Sequence, residues 1–202
     1  MLLSNYTARV VHRMDRTDRL GFDEEMARIG LDYEVYPAVN PPGHDDCNVG
    51  STFSHTEVLK GVTGPLFVFE DDVCFIEQAR EIFDIAIKEL PDDFDMLYLG
   101  GNPKLPQIRY SEHLFRSEGG IHTNHAILYS EKAREYISKN YDQWTNEIAY
   151  YDHWLFVYGI KAMNSFIMCP MIAFQKPGFS NSRNCYQDYY MHIRSNEIRN
   201  LI

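Results

Sequence analysis

The segment 65-PLFVFEDDV-73 places the strongest constraint on the fold. Residues 65–69 form a nearly continuous apolar run, which in a strand requires cover on both faces. The chain must therefore build a sheet with helices on either side. That run ends directly in Glu70, Asp71 and Asp72. Carboxylates this close repel one another, and removing each from water costs on the order of several kcal/mol unless a cation or hydrogen bonds compensate. The end of this strand is the first place to look for a ligand.

Around that strand the pattern alternates. Val10-Val11 within ARVVH marks a first strand, and Leu20, Met26, Ile29 and Leu31 at helical spacing predict an amphipathic helix behind it. YEVYPAV (33–39) reads as a second strand, and NPPGHDDCNVG (40–50) as a loop rich in turn formers. Ser51 or Thr52 is the expected cap of a helix through SHTEVLKG that stops at Gly61 and Gly64. Apolar side chains at 76, 79, 82, 83, 86, 87 and 90 predict a helix over 76–90, ending before Pro91. DMLYLGG (95–101) and HAILYS (125–130) are further strands, EKAREYISKNY (131–141) a helix and SFIMCPMIAFQ (165–175) a last strand. Residues 102–120 read as an irregular loop beside the site, 148–159 as helix or partly buried irregular chain, and the segment from Pro177 onward as an aromatic, polar tail. The alternation predicts an α/β layered fold in one domain spanning residues 1–202, with ligands at the carboxyl ends of its strands.

The charge balance narrows the partners. With 29 acidic against 19 basic residues the formal net charge is −10, which disfavours a broad nucleic-acid footprint and still permits a local basic pocket for a phosphate. Cys47, Cys74, Cys169 and Cys185 are widely spaced without a C-x-x-C pair and read as reduced thiols. No apolar run matches a secretory signal or the roughly 20 residues of a membrane span, so the expectation is a soluble, cytoplasmic protein.

In an extended strand Glu70 and Asp72 face one side and Asp71 the other. Hard oxygen ligands at that spacing suit Mg²⁺ or Mn²⁺, which take phosphate oxygens as further ligands, and a metal-bridged diphosphate is one reading. The other is that Asp71 or Asp72 caps the helix expected near Ile76 while the remaining acids are solvated. Arg16 and Arg19 follow the first strand, where the fold rule turns them towards a nucleotide or its phosphates; the alternative is surface pairing with Asp15 and Asp18. Ser54 and His55 stand at the expected start of a helix, whose N–H groups favour an anion, unless His55 is a buried core histidine.

Several segments, in order, resemble one family. Arg16-Thr17-Asp18-Arg19-Leu20 resembles the opening "NLxRRxDR" signature of glycosyltransferase family twenty-five, the lipopolysaccharide and procollagen galactosyltransferases, and Pro37-Ala38-Val39 resembles its "pAv" strand end. Gly50-Ser51-Thr52-Phe53-Ser54-His55 is similar to "GcxlSH", Phe69-Glu70-Asp71-Asp72-Val73 to "lEDDv", Phe94-Asp95-Met96-Leu97-Tyr98-Leu99-Gly100 to "wDxlyLG", and Thr123-Asn124-His125-Ala126-Ile127-Leu128 to "thAYxls". Two places depart from it: His12-Arg13 stands where the family has Asn-Leu, and Gln175 is followed by Ser180-Asn181 where the family often has Ser-Asp.

The resemblance implies a Rossmann-like GT-A fold with a mixed, mostly parallel sheet. It also implies inverting transfer of a hexose, galactose or glucose, from a uridine diphosphate sugar to a hydroxyl of a glycan, lipopolysaccharide or protein. It assigns Glu70, Asp72 and Asn181 to Mn²⁺ or Mg²⁺, and Arg16, Arg19, Ser54, His55, Asp71, Gln175 and Ser180 to the donor. The expected base is Asp152, in YYDHWL, where the family has an acid in a comparable segment; His122 and His125 are alternative bases or metal contacts. The small size without a membrane anchor is similar to bacterial or viral short forms. Acceptor choice is expected in residues 102–122 and the C-terminal tail. A degenerate, non-catalytic sugar-nucleotide or glycan-binding module is the alternative, favoured by His12 and Asn181. A nucleotidyltransferase is disfavoured because HRMDRTDRL has no Gly before Gly21, and a metal-dependent phosphohydrolase would need more ligand clusters than His44-Asp45-Asp46.

Overall fold

The structure, a computed structural model, describes residues 6–17, 21–40, 43, 46–141, 150–180 and 184–201. Its first half runs β1 (Thr7–His12), α1 (Phe22–Ile29), β2 (Glu34–Pro37), α2 (Cys47–Glu57), β3 (Leu66–Glu70), β4 (Val73–Phe75), α3 (Ala79–Ala86) and β5 (Met96–Tyr98). Then come β6 (Asn102–Pro103), β7 (Ile108–Arg109), β8 (Leu114–Ser117), β9 (Ile121–His122), β10 (Ala126–Tyr129) and α4 (Glu131–Asn140). The last part comprises α5 (Tyr151–Trp154), a π-helical turn (Leu155–Gly159), α6 (Ile160–Ala162), β11 (Ser165–Met168), β12 (Ala173–Gln175), β13 (Gly178–Ser180), β14 (Cys185–Gln187) and α7 (Tyr189–Leu201).

Eight strands form the main sheet in the order β2-β1-β3-β10-β5-β11-β8-β7, and β10 and β8 run against the other six. The apolar run of β3 is explained by alternation across this sheet. Phe67 and Phe69 pack with Phe22 and Met26 of α1 and Phe83 of α3, whereas Leu66 and Val68 pack on the opposite face with Ala133 and Ile137 of α4 and Trp154 of α5. Full burial of each such side chain contributes roughly 1.5–3 kcal/mol. Polar residues therefore have no place in β3 before its carboxyl end, where Glu70 emerges half-buried.

Local signals set the element ends. α1 stops at Gly30, whose φ of 64° lets its N–H reach the Ala27 carbonyl at 3.1 Å while Leu31 N reaches Met26 O at 3.2 Å, a glycine-terminated helix end. α4 starts at Ser130, whose hydroxyl accepts from Ala133 N at 3.0 Å. After β5, Gly100 passes so close to β12 that a Cβ there would run into the Ala173 carbonyl oxygen. That approach is fastened by bonds from Ile172 N and Ala173 N to Leu99 O, at 2.9 and 3.2 Å.

Several expectations are corrected. α2 begins at Cys47, not at Ser51 or Thr52, because Asp46 caps it through a 2.7 Å bond from Asn48 N. The helix expected over 76–90 is α-helical only over 79–86; its end tightens into i to i+3 bonds from Lys88 N to Ile85 O and Glu89 N to Ala86 O. Neither Asp71 nor Asp72 caps it, since its N-cap position is Gln78. The region 102–120 is not irregular: Leu114 and Phe115 are buried, and β8 and β7 build one edge of the main sheet. The strand expected over 165–175 divides at a cis Cys169-Pro170 bond, so that β11 stays in the main sheet and β12 pairs with β4. The tail contains a hairpin, β13 with β14, and the helix α7. Among the described residues no helix is long and apolar enough to cross a membrane, and all four cysteines are free.

Candidate functional site

The carboxyl ends of β1 and β3 open into a cleft of about 880 Å³, with Glu70, Asp71 and Asp72 in its lining. The parallel register sets Val11 of β1 opposite Glu70 of β3, which brings the next residue, His12, level with Asp71. Each acid meets a partner from a different element. His12 Nδ1 lies 2.7 Å from Asp71 Oδ2, His55 Nε2 lies 3.0 Å from Glu70 Oε1, and Gln175 Nε2 donates to Glu70 Oε2 at 3.2 Å and Asp72 Oδ2 at 3.5 Å. The backbone is pinned as well: Glu70 N donates to His125 O at 3.0 Å and Lys176 N to Asp72 O at 2.7 Å. Glu70 and Asp72 thus share one partner while Asp71 turns to another, although residues 71 and 72 form a turn rather than extended strand.

The partners are themselves held. His12 is 4% exposed and packs against Phe22, their ring centroids 5.2 Å apart. His55, also 4% exposed, stacks on Tyr151 at 5.8 Å. Tyr151 hydrogen-bonds Tyr129 through their hydroxyls at 3.2 Å, and burial pushes both phenols, with that of Tyr98, above their ordinary range so that they stay neutral. His125 is wholly buried; its Nδ1 lies 3.2 Å from Thr123 Oγ1, its Nε2 lies 3.2 Å from the Ala173 carbonyl, and burial lowers its pKa. It braces β10 against β12 and is not placed as an exposed base or metal contact.

Other expected residues fall as follows. Arg16 lines the cleft, its guanidinium 3.5 Å from Phe179 O. Asp15 pairs with Arg13, which holds its carboxyl below the usual range. Arg19 and Asn181 lie outside the described residues, as do His44 and Asp45. Ser54 and His55 sit beyond the first turn of α2, which removes the helix-start argument for anion binding there. Ser54 is fully buried, bonds Gly50 O at 2.7 Å and accepts from Val39 N at 3.1 Å, and so fixes the chain that follows β2. Asp152, the second residue of α5, stands on the cleft wall with its side chain 47% exposed, its Oδ2 3.9 Å from His122 Nδ1, and Ser180 also lines the cleft. Residues 102–122 and the tail both contribute to the wall, through Asn102, Lys104 and His122 and through Asp188, Tyr189 and His192.

His12 is the residue that sequence reasoning misread, as a departure from a family pattern rather than as the partner of Asp71. Its place at the end of the first strand was visible in the sequence, but the pairing of that strand with the acids' strand was not. Lys104, whose Nζ is 2.9 Å from His192 Nε2, had none, because the two are brought together only by the packing of α7 on β6.

Among the described residues no three His, Cys, Asp or Glu side chains converge on one point as a ready cation cage. The donor chemistry nevertheless fits Mn²⁺ or Mg²⁺. Glu70, Asp72 and Gln175 form an oxygen-rich set, and the Gln175 amide oxygen is buried without a hydrogen bond in the structure. Rotation of that amide exchanges its nitrogen for the oxygen next to both carboxylates.

No protein-family model matches the chain, and no curated protein matches it in sequence. Among solved structures it is similar to a glycosyltransferase involved in the glycosylation of the major capsid of PBCV-1, with 12% identity, a TM-score of 0.51 and 80% of each chain covered. Weaker likenesses are to a Drosophila β1,4-galactosyltransferase 7 variant in complex with manganese, UDP-Gal and xylobiose (13% identity, TM-score 0.44, 98% of this chain and 75% of that one) and to the catalytic domain of that enzyme with xylobiose (12%, 0.48, 95% and 79%). At such identity it is the fold that is shared: the chain has the Rossmann-like GT-A arrangement, a mixed eight-stranded sheet flanked by helices.

Proposed function

We propose that this chain is a glycosyltransferase of the family-twenty-five type, moving a hexose from a uridine diphosphate sugar to a hydroxyl acceptor with inversion, in one domain spanning the sequence. The observation that carries the reading is the acid triplet at the end of β3, with Glu70 and Asp72 joined by Gln175 and Asp71 met by His12, at the floor of a cleft large enough for a sugar nucleotide. The GT-A fold supports it, because that fold places a ligand at this edge of the sheet. So does the resemblance of six segments in order.

In this reading Arg13 and Arg16 face the diphosphate, and Asp71, oriented by His12, takes hydroxyls of the ribose or sugar. Glu70 and Asp72, with Gln175 and Asn181, would hold Mn²⁺ or Mg²⁺, which when bound supplies positive charge to the departing diphosphate. Asp152 accepts the proton of the acceptor hydroxyl as its oxygen bonds to the anomeric carbon and the sugar–phosphate bond breaks on the opposite face. Acceptor contacts fall to Lys104, His192 and Tyr189 across the cleft.

The test is release of uridine diphosphate from a panel of sugar nucleotides with Mn²⁺, Mg²⁺ or chelator, for the wild type and Asp72→Ala. Metal-dependent release from one donor, lost by a factor on the order of 10²–10³ in the variant, is the expected result. Silence across the panel together with absent nucleotide binding would overturn it and leave a non-catalytic binding module.

A further inference from the structure

The wall of the cleft around Asp152 is built from three unusual local features. β9 ends at His122, and the next residue, Thr123, has a φ of 71°, in the left-handed region that β-branched residues avoid. This turn delivers His122 to the cleft, where its Nδ1 lies 3.9 Å from Asp152 Oδ2. The imidazole lies flat on Phe156, with centroids 4.1 Å and planes 17° apart. Phe156 in turn belongs to the π-helical turn Leu155–Gly159, which begins where α5, the helix carrying Asp152, ends. Turns of this kind interrupt regular helical bonding and recur at functional sites. His153 lies beside this pair, its ring centroid 6.1 Å from both His122 and Phe156 and its plane within 11° of that of Phe156.

Core packing alone does not call for this arrangement, because both side chains remain open to the cleft, His122 28% and Asp152 47% exposed. Strained turn, π turn and ring stack share one consequence: they hold His122 Nδ1 next to one oxygen of Asp152 on the wall of the cleft. We infer that His122 is a positioning residue for Asp152 in the transfer step, an inference that rests on the transferase reading above. With its proton on Nδ1, the imidazole donates to Oδ2 and turns Oδ1 to the acceptor hydroxyl. The separation is longer than a hydrogen bond, and catalytic contacts of this type tighten when substrate arrives. In the step itself the acceptor O–H proton passes to Asp152, the acceptor oxygen bonds to the anomeric carbon, and the sugar–phosphate C–O bond breaks with its electron pair leaving on the diphosphate. His122 keeps its proton throughout.

The test compares His122→Phe with His122→Asn in hydrolysis of UDP-galactose and UDP-glucose, water serving as acceptor. The phenylalanine keeps the stack on Phe156 and removes both nitrogens, whereas the asparagine amide restores an N–H close to the place of Nδ1. Donor binding by calorimetry and thermal midpoints are measured on the same samples. The inference expects His122→Phe to lose kcat by roughly 10–100-fold. Donor Kd and KM should stay within about twofold, and His122→Asn should recover most of the lost rate. Wild-type kcat in His122→Phe would overturn the inference, as would a loss that follows the thermal midpoint in both variants. In either case donor binding and wild-type turnover would leave the transferase reading standing, while a wild type that neither binds nor hydrolyses these donors overturns both.

Discussion

His125 shows how the floor of the cleft responds to pH. Its ring is wholly buried between the Thr123 hydroxyl and the Ala173 carbonyl, and its own carbonyl receives the N–H of Glu70. Burial lowers its pKa, outweighing the pull of the Glu70 charge and of the bond to Ala173. The unfolded chain binds a proton at this residue near pH 6.5, and the folded chain does so only at lower pH. A depressed folded value means that the stability is fully present above about pH 6.5 and is lost as pH falls towards the folded pKa. Between pH 7.5 and 5.5 this group alone removes at most about 1.4 kcal/mol, the limit set by proton uptake in the unfolded chain. For a chain of this size, that limit corresponds to a midpoint drop of at most about 3–6 °C. His125→Gln cannot titrate, yet it retains an amide to donate to the Ala173 carbonyl. Denaturant unfolding of both proteins at pH 7.5 and 5.5 should therefore show the wild type losing more than the variant, by up to about 1.4 kcal/mol. Parallel losses, or a larger loss in the variant, would refute the idea that a buried neutral imidazole braces β10 against β12.

Two further substitutions probe how the site is placed. Gly100→Ala should destabilise the protein by roughly 2–4 kcal/mol, because its Cβ meets the Ala173 carbonyl and disturbs the two bonds to Leu99 O. The same variant should respond less to nucleotide, since β12 carries Gln175, as calorimetric titration would reveal. Asp46→Ala removes the cap of α2 and should cost about 1 kcal/mol in urea unfolding while leaving donor hydrolysis unchanged.

The sequence made the central strand and its acids plain because their signals are local: β3 is apolar on both faces and its polar end coincides with the sheet edge. Side-chain alternation also suggested separating Glu70 and Asp72 from Asp71; the structure gives the two groups different partners, but through a turn at residues 71 and 72 and not through an extended strand. Longer-range arrangements were hidden. Cys169-Pro170 looked like the middle of one strand because its apolar neighbours are buried in two different ladders. α7 escaped notice because its inward face carries only Ile193 and Leu201 as buried apolar anchors, with polar residues between them: Asn196 bonds Asn102, Asn200 bonds the Pro103 carbonyl, and Glu197 accepts from Met171 N. Such a helix has no apolar stripe to read. Asp46 was lost among the turn formers of 40–50, and β8 was too short to stand out from the charged residues around it. His12 required knowledge of the register between β1 and β3, which no periodicity supplies.

The most direct measurement of the central claim is the thermal midpoint of the wild type with uridine diphosphate alone, with Mn²⁺ alone, and with both. If the acids of β3 bind a cation that in turn binds the diphosphate, the two ligands stabilise the fold together by more than the sum of their separate effects. At about 100-fold excess over Kd the joint gain is roughly 3 kcal/mol. For a protein of this length that is a rise on the order of 5–10 °C, and it should vanish in Asp72→Ala. An unchanged midpoint with Mn²⁺ and every uridine, guanosine or cytidine diphosphate tried would contradict the account.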